Sequence, residues 1–198
     1  MHPVFSIGHS DHTAEAFVAL LARHGVSAVA DVRAAPYSRH HPQFSKAALM
    51  ATLRAAGLAY VYLGEQLGGL PSARVRGQMR GGGYAAMAAT EAFQEGIARV
   101  GQGRQRHRIA LMCAERDPMD CHRALLVGRA LAGAGVEVEH IHADGGTEEH
   151  AALERRLLDA AGRGEGGDLF ASLAELLDLA YLRQEKRAGL IDEEQGTP

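Results

Sequence analysis

Residues 108–132 read RIALMCAERDPMDCHRALLVGRALA and contain a predicted strand followed closely by a predicted helix. The uninterrupted apolar run from Ile109 to Met112 is typical of a strand buried on both faces, so we predict a strand over 108–113. Residues 119–132 are predicted to form the helix that follows it. A buried strand succeeded by a helix is the unit from which parallel α/β sheets are built.

The same unit recurs along the chain. Further strands are predicted at 4–8, 26–32, 58–63 and 136–141, with helices at 13–24 and 46–56 and one or two helices over 84–100. Because the strands are continuous apolar runs, helices are expected to cover both faces of the sheet. We therefore predict an α/β fold, a doubly wound three-layer sandwich around a mostly parallel five-stranded sheet, with C-terminal helices at 148–161 and 169–188.

The length of 198 residues fits one domain with a short appendage. We predict an α/β core over residues 1–145, a C-terminal helical extension packed on it over 146–190, and a disordered tail over 191–198. A glycine-rich linker is predicted at 162–167, between the two C-terminal helices. Residues 64–83, which contain many glycines and arginines, are predicted to form an irregular loop that is functional or mobile.

Composition narrows the class of protein. The net charge of −3 gives no overall basic field that would draw the protein to nucleic acid or anionic lipid. Two cysteines are too few for a secreted disulfide framework, so both are predicted to be reduced thiols. The N-terminus lacks the pattern of a signal peptide, and no apolar run approaches the roughly 20 residues of a membrane span. We therefore predict a cytoplasmic protein without membrane association, and leave monomer and homodimer as open alternatives.

Polar side chains follow the predicted strands, at the edge of the sheet where ligands bind in this fold class. In chain order they are His9 and Ser10, then Asp31, Arg33 and Ser38, and finally Cys113 and Glu115, while the glycines Gly68 and Gly69 follow the third strand. The opposite edge carries mostly turn glycines and surface charge. This asymmetry predicts a functional pocket at the carboxyl edge of the sheet.

The segment after the fourth strand is the most unusual part of the chain. Asp117-Pro118 predicts an N-cap and a first helical residue, which places Cys121, His122 and Arg123 in the first turns of a helix that points at the pocket. A thiol near a helix N-terminus, beside an imidazole and a guanidinium, tends toward a lowered pKa. The same helix end offers N–H groups to an anion. The alternative is that the cysteines are small buried core residues.

Several short motifs resemble a known family. They are SIGHS at 6–10, DVR at 31–33 with Pro36, Ser38 and Phe44, LGG at 67–69, MCAE at 112–115, CHR at 121–123 and AYLR at 180–183. Over almost the entire chain they resemble the family catalogued as domain of unknown function 488. The resemblance implies a Rossmann-like α/β fold in a widespread bacterial and archaeal family without a settled activity. The site residues it implies are His9, Ser10, Asp31, Arg33, Cys113, Glu115, Cys121, His122 and Arg123.

The favoured hypothesis is an enzyme, a hydrolase or transferase, that acts on an anionic small molecule such as a nucleotide or another phosphate-bearing compound. Its candidate catalytic residues are Cys113, Glu115, Cys121, His122 and His9. Its candidate binding residues are Ser10, Asp31, Arg33, Ser38, Gly68, Gly69 and Arg123. No cofactor and no metal ligand are predicted under this hypothesis.

Two alternatives use the same residues. The protein could be a nucleic-acid-associated or ligand-sensing binding module, in which arginine and histidine recognise a phosphate without chemistry. It could also bind a metal ion through Cys113, Cys121 and His122. The Cys-x7-Cys-His spacing matches no common zinc pattern, which weakens the hypothesis of a metal site.

Overall fold

The computed structural model describes residues 2–162 and 171–189 of the chain. Its sheet has six strands in the spatial order β3-β2-β4-β1-β5-β6. They are β1 (Val4–Gly8), β2 (Ala28–Asp31), β3 (Ala59–Tyr62), β4 (Ile109–Cys113), β5 (Val138–Ile141) and β6 (Thr147–Glu149). The first five strands are parallel, and β6 pairs with β5 in the antiparallel direction. The predicted α/β fold with a mostly parallel sheet is therefore confirmed, with one short edge strand added.

Helices cover both faces of this sheet. They are α1 (Ala14–Arg23), α2 (Lys46–Ala55), α3 (Gly64–Leu67), α4 (Ala73–Gln78), α5 (Gly83–Ala88), α6 (Glu91–Gly103), α7 (Arg129–Gly133), α8 (His150–Ala160) and α9 (Leu173–Arg187). On one face, Phe17 of α1 and Leu49 of α2 pack with Ile7 of β1. On the other face, Phe93 of α6 belongs to the same apolar cluster as Leu111 of β4. Within the described ranges, no helix is both long enough and apolar enough to cross a membrane.

Residues 64–83, predicted to be an irregular loop, contain the two short helices α3 and α4. Helix α4 begins at Ser72, whose hydroxyl accepts a hydrogen bond from the backbone N–H of Val75 at 3.3 Å. The side chain of Val75 is buried in the core and anchors the segment. The prediction missed these helices because each has at most six residues and lies among glycines.

The helix predicted over 119–132 has a different form. A single 3-10 turn at Pro118–Asp120 comes first, with the side chain of Asp117 accepting a hydrogen bond from the Met119 N–H at 2.8 Å. Cys121 is then extended, with φ −139° and ψ 135°. A π-helical segment at Arg123–Gly128 follows and continues into α7. The residue predicted to lie in the first turn, Cys121, therefore precedes the helix, and wide π turns are frequent at functional sites.

The two C-terminal helices pack against the rest of the fold. Leu157 of α8 and Tyr181 of α9 belong to the main apolar cluster. The side-chain amide of Gln184 donates to the Met119 carbonyl at 3.1 Å and to the Asp120 carboxylate at 3.0 Å, which ties α9 to the turn that precedes Cys121. The predicted linker beyond residue 162 and the predicted tail at 191–198 lie outside the described residues.

Candidate functional site

A cavity of about 280 Å³ lies at the carboxyl edge of the sheet. The strands that form this edge are adjacent, since Gly8 of β1 pairs with Cys113 of β4, and Asp31 of β2 pairs with Met112. Seven residues predicted for the site line the cavity, namely His9, Arg33, Ser38, Gly69, Cys113, Glu115 and His122. Further lining residues, which the sequence did not single out, are Ala34, Ala35, Tyr37, Leu70, Ala114 and Gly189.

The other five predicted residues surround the cavity without lining it. They are Ser10, Asp31, Gly68, Cys121 and Arg123. Gly68 lets the chain pass close to the Gly64 carbonyl, because a Cβ atom there would approach that oxygen to 2.5 Å. Cys121 and Arg123 are completely buried. The prediction that they take part in function remains a prediction, and their contacts with the lining residues are described below.

The guanidinium of Arg33 is held by a buried carboxylate. Its Nε donates to Oδ1 of Asp31 at 2.9 Å, and its Nη2 donates to Oδ2 at 2.7 Å. The hydroxyl of Tyr60 donates to the same Oδ2 at 2.9 Å. Burial and the negative charge of Asp31 raise the pKa of Tyr60, so this phenol stays protonated and remains a donor. Among the described residues, Nη1 of Arg33 has no hydrogen-bond partner and is buried at the cavity.

His9 is fixed in one tautomer. Its Nδ1–H donates to the carbonyl of Ser10 at 2.9 Å, and its ring stacks on Phe44 with the ring centroids 4.3 Å apart. Ser10 adopts a positive φ of 46°, which is unusual for a residue with a side chain and aims its carbonyl at the ring. Burial lowers the pKa of His9 to about 4, so the imidazole is neutral near pH 7. In the part of the chain that the structure describes, Nε2 of His9 lacks a partner and is free to accept a hydrogen bond.

Two thiols, an imidazole and a carboxylate meet at the base of the cavity. Sγ of Cys113 lies 3.6 Å from Nδ1 of His122, and Sγ of Cys121 lies 3.9 Å from the same nitrogen. Sγ of Cys121 and Oε2 of Glu115 are 2.8 Å apart and share a hydrogen bond. Nε2–H of His122 donates to the carbonyl of Val32 at 2.8 Å, which leaves Nδ1 facing the sulfurs.

The pKa values of this cluster diverge. Burial raises the pKa of the Cys113 thiol above its usual value. Burial alone would also raise the pKa of Cys121, but the thiol of Cys113 and the positive charges of Arg123 and His122 lower it instead. Loss of solvation and the neighbouring sulfur of Cys121 raise the pKa of Glu115. The sequence predicted a lowered pKa for Cys121 from a helix N-terminus, an imidazole and a guanidinium, and the groups that lower it here are Cys113, Arg123 and His122.

Arg123 fixes the backbone that carries Glu115. Its Nη1 donates to the carbonyl of Glu115 at 2.6 Å, and its Nη2 donates to the carbonyl of Arg116 at 3.1 Å. The guanidinium is completely buried and acts on the protein's own carbonyls. The sequence predicted an anion-binding role for Arg123, and its observed partners make it a support for the turn after β4.

Two residues that contribute to the site, Tyr60 and Phe44, were not predicted as site residues. Tyr60 lies on β3 and reaches Asp31 of the neighbouring strand, and Phe44 lies in a 3-10 turn and stacks on His9. Tyr60 lies next to Val61 and Tyr62 in a strand of mostly apolar residues, so nothing in the sequence indicated that its hydroxyl makes a polar contact. Phe44 belongs to the family motif that includes Pro36 and could have been assigned from it.

Comparison with known proteins gives one match. A family model described as Domain of unknown function DUF488 matches residues 13–130, which is more than half of the chain. The matched range contains Asp31, Arg33, Cys113, Glu115 and Cys121-His122-Arg123, whereas His9 and Ser10 precede it. Neither the curated proteins nor the solved structures include a match.

Proposed function

The chain belongs to the family described as Domain of unknown function DUF488, and we propose that its cavity is the active site of an enzyme for a small phosphate-bearing or nucleotide-like anion. This proposal is carried by Nη1 of Arg33, which has no partner among the described residues and is buried at a cavity that also contains an unpartnered histidine nitrogen. A buried, permanently charged donor without a partner is costly, so such a group is well explained by a ligand that completes its hydrogen bonding.

Arg33 is suited to bind an anion because its orientation is already fixed. Asp31 occupies Nε and Nη2 of the guanidinium, so Nη1 stays in place without a further loss of side-chain entropy. Hydrogen bonds between a guanidinium and a phosphate are short and strong. Ser38 also lines the cavity and carries a hydroxyl.

The cavity also holds groups that can move protons. Nε2 of His9 can accept a proton from an attacking group, and Glu115 can act as general acid or base. Cys113 borders the cavity, whereas Cys121 is completely buried beneath it, so any direct thiol contact with the substrate comes from Cys113. Hydrolysis and group transfer, including cleavage of an N-glycosidic bond, are the reactions that we propose. We propose no organic cofactor, and both free thiols fit a reducing, cytoplasmic location.

The size of the cavity favours a small ligand over a nucleic acid. A volume of about 280 Å³ is at the lower end of the range for small-molecule pockets. The exposed side chains of Tyr37 and Leu70 border it, and neither is basic. A ligand-sensing module without catalysis remains the alternative, because the same arginine and histidine could recognise a phosphate group without turning it over.

Binding of inorganic phosphate and of adenosine 5′-monophosphate tests the proposal, with isothermal titration calorimetry as the measurement. We expect Arg33→Lys to weaken binding by about tenfold or more, because the loss of a charge-assisted hydrogen bond removes about 1.5–3 kcal/mol. Lysine keeps a positive charge beside Asp31 but lacks the Nη1 donor.

Arg116→Lys is the matched control, since Arg116 is exposed and does not line the cavity. Equal affinities for wild type and Arg33→Lys would contradict the proposal. Chromatography of the nucleotide after incubation then separates the two functions, because an enzyme converts it and a sensor returns it unchanged. A nucleic-acid-binding protein would instead show affinity for oligonucleotides that falls steeply with salt.

A further inference from the structure

Four potential metal-binding side chains converge at the floor of the cavity. We propose that Cys113, Cys121 and His122, with Glu115 as a fourth and exchangeable ligand, bind a divalent cation of the zinc class. The ligand atoms of these residues all lie within 4.8 Å of one another. This site goes beyond the proposed anion binding, since it stands on these four residues and does not depend on the identity of the substrate.

The distances from His122 to the two sulfurs are close to those of a tetrahedral site. Zinc bonds of about 2.0–2.3 Å place neighbouring tetrahedral ligand atoms roughly 3.3–3.8 Å apart. Nδ1 of His122 lies 3.6 Å from Sγ of Cys113 and 3.9 Å from Sγ of Cys121, close to that range. The contact of 2.8 Å between Cys121 and Glu115 is shorter. Glu115 is exposed, so its side chain has room to move outward by the fraction of an ångström that coordination needs.

The chemistry of the four groups also favours a cation. Two thiolates, one carboxylate and one imidazole form a soft, mostly anionic set of the kind that selects zinc over magnesium or calcium. Without a cation they avoid mutual repulsion only by keeping protons between them. The backbone N–H of Arg123 lies 3.4 Å from Sγ of Cys121, an orientation that supports a negatively charged sulfur.

His122 is oriented as a metal ligand. Its Nε2–H donates to the backbone carbonyl of Val32 at 2.8 Å, so Nδ1 is the nitrogen that faces the sulfurs and would bind a cation in place of its proton. Metal-binding histidines commonly donate their second ring N–H to a carbonyl or carboxylate in this way. Gly69 leaves the space that the ring occupies, since a Cβ there would approach Cγ of His122 to 2.8 Å.

The site opens toward the groups proposed to bind the anion. Cys113, Glu115 and His122 line the same cavity as His9 and Arg33. The buried Nε2 of His9 and Nη1 of Arg33 are partnerless in the described part of the chain and border this space. A cation here would give the cavity a second positive charge, and exchange of the Glu115 carboxylate would open a coordination position to a ligand.

The metal content of the full-length chain tests the inference, measured by mass spectrometry on protein purified in a phosphine reductant and dialysed after addition of Zn²⁺. We expect about one zinc per chain. Replacing zinc with Co²⁺ should give the near-ultraviolet absorption of thiolate-to-cobalt charge transfer, which reports sulfur ligation directly. Cys113→Ser and Cys121→Ser should each reduce this absorption and lower the affinity for Co²⁺ by at least tenfold.

Two further variants test the metal site without a change to either cysteine, in case a cysteine variant fails to fold. Glu115→Gln changes an exposed side chain, and it should keep the charge-transfer band while it lowers the affinity for Co²⁺ by about tenfold. His107→Ala, an exposed histidine whose neighbours include Ser27 at the opposite end of β2, should bind as wild type does. Zinc well below one equivalent, or a cobalt complex without the thiolate band, would overturn the inference.

The inference and the proposed function can fail separately. Arg33→Lys should lose phosphate affinity and keep the cobalt absorption, because Arg33 is not one of the four ligands. A wild-type chain that binds cobalt through sulfur but does not bind phosphate would leave the metal site intact and remove the anion site. A wild-type chain that binds phosphate but gives no thiolate-to-cobalt absorption would contradict the metal site and leave the anion site intact.

Discussion

Replacing Gly8 with alanine should lower the free energy of unfolding by about 3 kcal/mol or more, near the upper end of the usual cost of overpacking. A Cβ atom at this position would lie 1.8 Å from the carbonyl oxygen of Glu115 and 2.9 Å from its carbonyl carbon. Neither atom can move easily. The oxygen accepts a hydrogen bond from Nη1 of Arg123 at 2.6 Å, and Gly8 itself pairs with Cys113 in the centre of the sheet.

Urea denaturation measures this effect, and Gly77→Ala provides the control. Gly77 lies in α4, where an added Cβ would meet no atom within 4 Å. Alanine there should leave stability unchanged or raise it by up to about 1 kcal/mol, because alanine favours a helix more than glycine does. Similar stability losses for both variants would show that the Glu115 carbonyl is not the obstacle that the geometry indicates.

The fold was predictable because its signal is repeated. Four of the five parallel strands are mostly apolar, and a helix follows most of the five, so several independent segments supported one architecture. The parts that could not be predicted are short or depend on distant contacts. Strand β6 contains three residues, Thr147–Glu149, none of them apolar, and forms only because β5 offers it an edge.

The sequence predicted which residues surround the cavity, but not the backbone conformation that brings some of them together. The rule that strand ends converge placed His9, Arg33, Cys113 and Glu115 around one cavity. The local form of the segment after β4 could not be deduced, because the extended conformation of Cys121 depends on a turn tied down by α9, sixty residues and more away along the chain.

The roles of the site residues depend on hydrogen bonds between residues that belong to different sequence motifs. Within the described ranges, Arg33 keeps one nitrogen without a partner because Asp31 binds the other two, and Tyr60, on another strand, donates to the same carboxylate. Glu115 becomes a fourth potential metal ligand because its side chain folds back onto Cys121. The sequence pattern contains only two cysteines and a histidine at a spacing that matches no common zinc motif, so a zinc site was not predicted from it.

Acidification should destabilise the protein through a buried chain of hydrogen bonds. Oγ of Ser6 lies 2.7 Å from Nδ1 of His140, and Nε2 of His140 lies 3.0 Å from Nδ1 of His150. Nε2 of His150 in turn lies 2.9 Å from the hydroxyl of Tyr181, so the chain links β1 and β5 to α8 and α9. Both histidines are buried, and their ring nitrogens are all engaged as neutral donors and acceptors.

The direction of the pH effect follows from the pKa shifts. Burial lowers the pKa of His140 well below its ordinary value, and burial together with the charge of Arg129 lowers that of His150 to about 4. Between about pH 6.5 and 4, the unfolded chain therefore binds protons on these histidines that the folded chain does not bind. Stability is retained above pH 6.5 and falls as the pH decreases, by about 3 kcal/mol at pH 4 from His150 alone.

Urea denaturation between pH 8 and pH 4.5 measures this dependence, and a pair of variants assigns it. We expect His150→Gln to be less stable than wild type at pH 8 because it disturbs the contacts with His140 and Tyr181, yet to lose less stability on acidification because one buried titrating group is gone. His107→Gln changes an exposed histidine outside this chain of contacts and should keep the wild-type slope. A loss of stability on acidification that is as steep in His150→Gln as in wild type would contradict the prediction, because the acid sensitivity would then come from groups other than this chain of hydrogen bonds.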